Sequence, residues 1–106
     1  MVYVFDIDNT ICKTEGSNYS ESQPWIDRIA EINELYDSGH TVIYFTARGM
    51  GRTDNNVIEA HKVLYSFTKR QLESWGAKHT TLMLGKPAAD VYIDDKGMND
   101  GRFFKD

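Results

Sequence analysis

The sequence has one cysteine, Cys12, and only two prolines in its 106 residues. A single cysteine excludes an intrachain disulfide, which fits a reducing compartment. Positive charge is in short supply: 12 Lys and Arg against 16 Asp and Glu leave a formal charge of −4. That balance argues against a general phosphate-backbone binder, although not against a nucleic-acid end as substrate. No apolar run approaches the roughly 20 residues that a membrane span needs. No basic segment followed by an apolar stretch opens the chain, so a secretory signal is not expected. His40, His61 and His79 are scattered and Cys12 stands alone, so a zinc site is not expected either. With no internal repeat and no low-complexity tract, the expectation is one soluble, cytoplasmic domain spanning 1–106.

What is present is an alternation of strands and helices. The run VYVFDI (Val2 to Ile7) is short, β-branched and aromatic, and reads as a buried strand. Residues 12 to 23, CKTEGSNYSESQ, read as an exposed loop. Pro24 suits the first turn of a helix that carries Trp25, Ile29, Ile32, Leu35 and Tyr36 at helical spacing and stops at Gly39. TVIYFT (Thr41 to Thr46) is a second strand, followed by the loop ARGMGRTDNN. A longer helix is predicted from about Asn55 to Trp75, closed by Gly76, with Val57, Leu64, Leu72 and Trp75 on one face. TLML (Thr81 to Leu84) and VYID (Val91 to Asp94) are the third and fourth strands, joined by the turn GKPAAD. Near-continuous apolar strands alternating with helices predict an α/β fold, a parallel sheet covered on both faces. In such sheets ligands sit beyond the carboxyl ends of the strands.

Those ends carry the chemistry. The first strand leads into Asp6 and Asp8, the second ends at Thr46 with Arg48 close behind, and the fourth ends at Asp94 and Asp95. Lys86 lies in the turn before the fourth. Carboxylates gathered in one crevice repel each other and need a cation or a shared proton. An oxygen-only set suits Mg²⁺, which keeps waters and uses a few carboxylates plus substrate phosphate. The Thr46 hydroxyl and the Lys86 ammonium are donors that, with Mg²⁺, clamp the equatorial oxygens of a transferring phosphoryl group. An aspartate is a competent nucleophile in such chemistry. A second carboxyl two residues on is placed to protonate the leaving oxygen and then to activate water.

The elements DIDNT, FTAR, GKP and VYIDD, in this order and over nearly the whole chain, resemble the haloacid dehalogenase (HAD) superfamily of phosphatases. The resemblance implies that Asp6 is the nucleophile and a Mg²⁺ ligand. It implies that Asp8 is the general acid/base, with its backbone carbonyl a second metal ligand. Thr46 and Lys86 then bind phosphate, and Asp94 and Asp95 hold the metal, one of them through water. An Asp at position 8 favours phosphatase over dehalogenase or phosphonatase chemistry. Asn9 stands where many members have glycine. More narrowly, DIDNTICKTEGSNY, PWIDRIAEINELYDSGHTVIYFTARGMG and GKPAADVYIDDKG are similar to small capless phosphatases found with bacterial capsule and surface-polysaccharide genes. That implies a small sugar- or metabolite-phosphate as substrate.

The implied fold is a three-layer, Rossmann-like sheet of about four strands in order 4-1-2-3, without the fifth strand usual in the family. No cap domain fits: residues 11 to 23 provide only a short flap. An open crevice needs another way to exclude water, from a large substrate, flap closure or a neighbouring subunit in a homo-oligomer. Arg48 is a candidate contact to a second anionic group on the substrate; Arg52, Lys13 and Lys96 read as solvated. Two other readings are a phosphatase acting on a polymer, whether a nucleic-acid 3′-phosphate or a phosphoprotein, and a phospho-receiver signalling module. The acidic net charge disfavours nucleic acid. The receiver reading requires an Asp at the end of a middle strand, and TVIYFTAR has none there.

Overall fold

The computed structural model describes residues 1–106 as an α/β fold. Its strands are β1 (Val2–Phe5), β2 (Cys12–Lys13), β3 (Gln23–Pro24), β4 (Thr41–Thr46) and β5 (Thr81–Leu84). Its helices are α1 (Ile26–Asp37), α2 (Val57–Ser74) and α3 (Asp100–Phe104). Strands β1, β4 and β5 form a parallel three-stranded sheet with β4 at its centre. The register sets Phe5 beside Tyr44 and Tyr44 beside Leu82, with Thr46 beside Leu84.

Strand alternation sends Phe5, Val42, Tyr44, Thr46, Leu82 and Leu84 to one face. All six are buried. Five of them share one apolar cluster with Ile29 and Ile32 of α1, Leu64 and Leu72 of α2, and Phe104 of α3. Burying each such side chain stabilises the fold by about 1.5–3 kcal/mol before entropy is counted. The opposite face keeps Val2, Val4 and Met83 exposed. The fold therefore has two layers where helices on both faces are expected. No cap domain interrupts it.

The predicted fourth strand is not formed. Val91–Asp94 has no regular structure, and Ile93 is 94% exposed. β1 is consequently an edge strand rather than an inner one. The apolar run VYI is too short to decide between a strand and an extended surface segment by pattern alone. Pro24 also departs from expectation. It pairs with Cys12 in the β2–β3 ribbon, and α1 starts two residues later, behind Trp25. Trp25 and Tyr36 are exposed rather than core. α2 matches its predicted span closely, with Asn56 as its N-cap accepting from the Glu59 N–H. Its buried stripe is Ala60, Leu64, Thr68 and Leu72, four residues apart at each step.

Two glycines are demanded by geometry. Gly49 has φ +81°, and a Cβ there would lie 3.1 Å from both the Ala60 Cβ and a Leu64 methyl. Gly85 has φ +107°, and its Cβ would meet a Val57 methyl at 3.0 Å. Both let a strand-end loop pass close over α2.

The tail is pinned by Arg28. Its guanidinium donates to Asp106 twice at 2.7 Å, to Asp100 at 2.7 Å and to the Thr10 carbonyl at 2.9 Å, with the Phe104 ring 4.4 Å away. These contacts, Asp106 foremost, hold the Arg28 pKa above its ordinary value. Arg28→Ala is therefore expected to lower unfolding free energy by about 2 kcal/mol, given the worth of hydrogen bonds to charged groups. Urea denaturation is the check; an unchanged midpoint would show that the clamp contributes nothing.

Candidate active site at the strand ends

Asp6 and Asp8 follow β1 directly. Between them Ile7 is fully buried, which anchors the segment and turns both carboxylates away from the core. The chain then reverses through Asn9 at φ +62°. That left-handed conformation suits glycine or asparagine, which gives a physical reason for Asn9. Its side-chain oxygen accepts the Thr14 N–H at 3.2 Å.

Asp6 Oδ1 accepts the Ile7 N–H at 2.8 Å, and Oδ2 lies 3.7 Å from Lys86 Nζ. Burial raises the Asp6 pKa above the ordinary carboxylate value, against the opposing pull of the Lys86 ammonium. Lys86 reaches the site because its N–H donates to the Thr46 carbonyl at 3.2 Å, which ties the end of β5 to the end of β4. Its ammonium sits 4.5 Å from the centre of the Tyr92 ring, and the Tyr92 hydroxyl donates to the Pro87 carbonyl. The Thr46 hydroxyl is fully buried and accepts the Arg48 N–H at 3.1 Å.

Asp8 is held on several sides. Arg48 donates through Nε to Oδ2 at 3.0 Å and through Nη2 to Oδ1 at 2.9 Å. Thr14 Oγ1 donates to Oδ1 at 2.7 Å. Arg48 is 1% exposed, and its Nη1 donates to Gln71 Oε1 at 2.6 Å and Thr68 Oγ1 at 3.3 Å. Four of the five guanidinium hydrogens are thus used inside the protein. This corrects the expectation that Arg48 is a free contact for a substrate anion.

The predicted loop 12–23 is a folded flap. Its strands β2 and β3 pair, and Thr14 Oγ1 and Ser22 Oγ lie 2.6 Å apart across it. A 3₁₀ turn over Tyr19–Glu21 brings the Tyr19 ring to 4.7 Å from the Arg48 guanidinium carbon. The Tyr19 carbonyl accepts from Gln71 Nε2 at 2.7 Å. Thr14, Tyr19, Ser22, Thr68 and Gln71 were not singled out by sequence reasoning. A signal exists only for Thr68, a polar residue on the apolar stripe of α2.

Asp6, Asp8, Tyr19, Arg48, Ala88 and Tyr92 are among the residues that line a cleft of about 450 Å³. Asp6, Asp8 and Lys86 are brought together at the strand ends, whereas the Thr46 hydroxyl, expected to bind phosphate, is buried beneath them on the Arg48 N–H. Asp94 and Asp95 do not join them. Both are exposed and turned to Lys96: Asp94 accepts its N–H at 2.6 Å, and Asp95 pairs with its ammonium at 3.0 Å. The reason is the missing fourth strand, which was to carry them. No group of three or more His, Cys, Asp or Glu side chains is arranged to hold a metal ion. The donor chemistry suits a hard cation only in part. Asp6 Oδ1 accepts only the Ile7 N–H and keeps a lone pair, and the Asp8 carbonyl accepts no hydrogen bond from the chain, while Arg48 and Thr14 donate to the Asp8 carboxylate. The histidines stay outside the cleft: His40 contacts the chain start and Tyr3, His61 stacks on Tyr65, and His79 lies edge-on to Tyr44.

The Asp6 carboxyl has its folded pKa above its unfolded value, so the fold favours its protonated form. Ionised Asp6 then costs stability above the folded pKa, and that cost fades as pH falls through it toward the ordinary carboxylate range. Asp6→Asn is expected to raise the thermal midpoint at pH 7 in the presence of EDTA, with the advantage shrinking toward pH 4. A variant less stable than wild type at pH 7 would refute this.

A solved structure, a structural-genomics target from Vibrio cholerae, is similar to the chain with a TM-score of 0.88 at 24% identity. The match covers 97% of this chain and 86% of that one. Likeness at that identity speaks to the fold. No family model matches the chain, and no curated protein does. No helix is long and apolar enough to cross a membrane.

Proposed function

We propose that the chain is a Mg²⁺-dependent phosphomonoesterase of HAD type that works through an aspartyl-phosphate. The observation that carries the reading is the meeting of Asp6 and Asp8 in one cleft at the strand ends, with the Lys86 ammonium 3.7 Å from Asp6. Asp6 Oδ2 attacks phosphorus; the Asp6–phosphorus bond forms as the bond to the alcohol oxygen breaks. Asp8 gives its proton to the departing alkoxide. In the second step Asp8 takes a proton from water, the water oxygen bonds to phosphorus, and Asp6 and inorganic phosphate are released. Lys86 offsets charge on Asp6 and on the phosphoryl oxygens.

The Asp6 carboxylate and the Asp8 carbonyl would hold Mg²⁺, which supplies Lewis-acid neutralisation of the phosphoryl oxygens when bound. Asp94 and Asp95 would join only after rearrangement of the segment that bears them. The free side of β1 and the exposed apolar residues Val91–Ile93 support a fourth strand forming there, in the order 4-1-2-3. The acidic net charge speaks against a nucleic-acid polymer, and the resemblance to surface-polysaccharide phosphatases supports a sugar phosphate.

Wild-type protein with Mg²⁺ is expected to hydrolyse p-nitrophenyl phosphate, and Asp6→Asn to lower kcat by more than about a thousandfold. EDTA is expected to abolish turnover and Mg²⁺ to restore it. Activity that persists in Asp6→Asn refutes the nucleophile, and activity that persists after thorough chelation refutes the metal. Ranking sugar phosphates, nucleotides and phosphopeptides by kcat/KM identifies the substrate class.

A further inference from the structure

We propose that Arg48 is a positioning residue for Asp8: with Thr14 it pins Oδ1 and leaves Oδ2 as the oxygen that exchanges protons with the substrate, and the flap completes this arrangement through Tyr19 and Gln71. The inference rests on the phosphatase reading given above.

The atom assignment comes from counting donors. Each carboxylate oxygen has about two lone pairs for hydrogen bonding. Oδ1 receives Thr14 Oγ1 at 2.7 Å and Arg48 Nη2 at 2.9 Å, and is filled. Oδ2 receives only Arg48 Nε at 3.0 Å and keeps a free lone pair. A proton carried by Asp8 therefore belongs on Oδ2. The planar fork of Arg48 sets the plane of the carboxyl group as well as its position, which a lysine cannot do.

Arg48 is itself positioned. Gln71 Oε1 accepts from Nη1 at 2.6 Å, and Gln71 Nε2 donates to the Tyr19 carbonyl at 2.7 Å. The Tyr19 ring lies 4.7 Å from the guanidinium carbon. Thr14, the second group on Oδ1, sits on the flap and is within 2.6 Å of Ser22 across it. Lifting the flap would remove Thr14 from Asp8 and Tyr19 from Arg48 together. A buried ion pair is a poor way to gain stability, since its desolvation cost offsets much of its attraction. What it supplies here is orientation.

Leaving-group chemistry separates positioning from mere stability. p-Nitrophenolate departs without a proton, whereas a simple alkoxide needs one. kcat/KM covers the steps up to departure of the alcohol, so hydrolysis of the aspartyl-phosphate does not enter it. Arg48→Lys is expected to lower kcat/KM for ethyl phosphate by on the order of a hundredfold, the scale of a general acid. For p-nitrophenyl phosphate the loss is expected to stay within about threefold. Gln71→Ala, which touches neither Asp6 nor Asp8, is expected to show the same selectivity at about tenfold. Equal losses on both esters in both variants would overturn positioning.

Flap coupling is read without turnover, by hydrogen exchange. Both variants are expected to speed exchange at the Thr14 and Tyr19–Ser22 amides while β4 and β5 amides stay protected. Unchanged flap exchange in both would overturn the coupling. If wild type hydrolyses neither ester, the phosphatase reading and the proton-exchange role of Oδ2 fall. The Arg48–Gln71–flap coupling still stands or falls on exchange.

Discussion

The fork from Arg48 to Asp8 is the contact around which the cleft at the strand ends is arranged. It joins the end of β1, the loop after β4, the buried stripe of α2 and the flap. Each end is fixed elsewhere. Ile7 and Asn9 anchor Asp8 beside β1, and the Arg48 N–H is bound to the Thr46 hydroxyl. Removing one partner of so buried a pair leaves a charge without compensation, a cost on the order of 3–5 kcal/mol. Keeping both gives a carboxyl group of defined plane. A flexible surface pair would contribute neither the cost nor the definition.

Asp6 occupies the opposite electrostatic situation only two residues away. One oxygen is tied to a backbone N–H, and the other meets an ammonium at a loose 3.7 Å. Its burial outweighs that attraction, so the fold tolerates the charge rather than profiting from it. Perturbed groups in clefts are where function concentrates. The stability given up at Asp6 is the kind that active sites commonly forgo.

The sheet explains both what reaches the cleft and what does not. Three parallel strands deliver Asp6, Thr46 and Lys86 to one end because parallel strands put their carboxyl termini together. The acidic pair 94–95 would need a strand of its own, and the residues before it stand in solvent. The same shortfall leaves β1 at an edge, and because all three helices pack on one face, Val2, Val4 and Met83 on the other stand uncovered.

Much of this was legible in the chain by itself. The spans of β4, α2 and β5, the turns at Gly39 and Gly76, and the strand-end positions of Asp6, Asp8 and Thr46 follow from local periodicity and turn chemistry, which act over a few residues. Tertiary structure alone decided the rest. Whether VYI pairs with β1, whether Pro24 belongs to a helix or a ribbon, and whether CKTEGSNYSESQ is loose or folded depend on partners distant in sequence. Arg48 shows this most clearly. In the sequence it is a cation in a glycine-rich loop, suited to meeting a substrate anion. In the fold Asp8, Gln71 and Thr68 reach it first, because β4 and α2 bring them within 3.3 Å of a side chain that water does not reach.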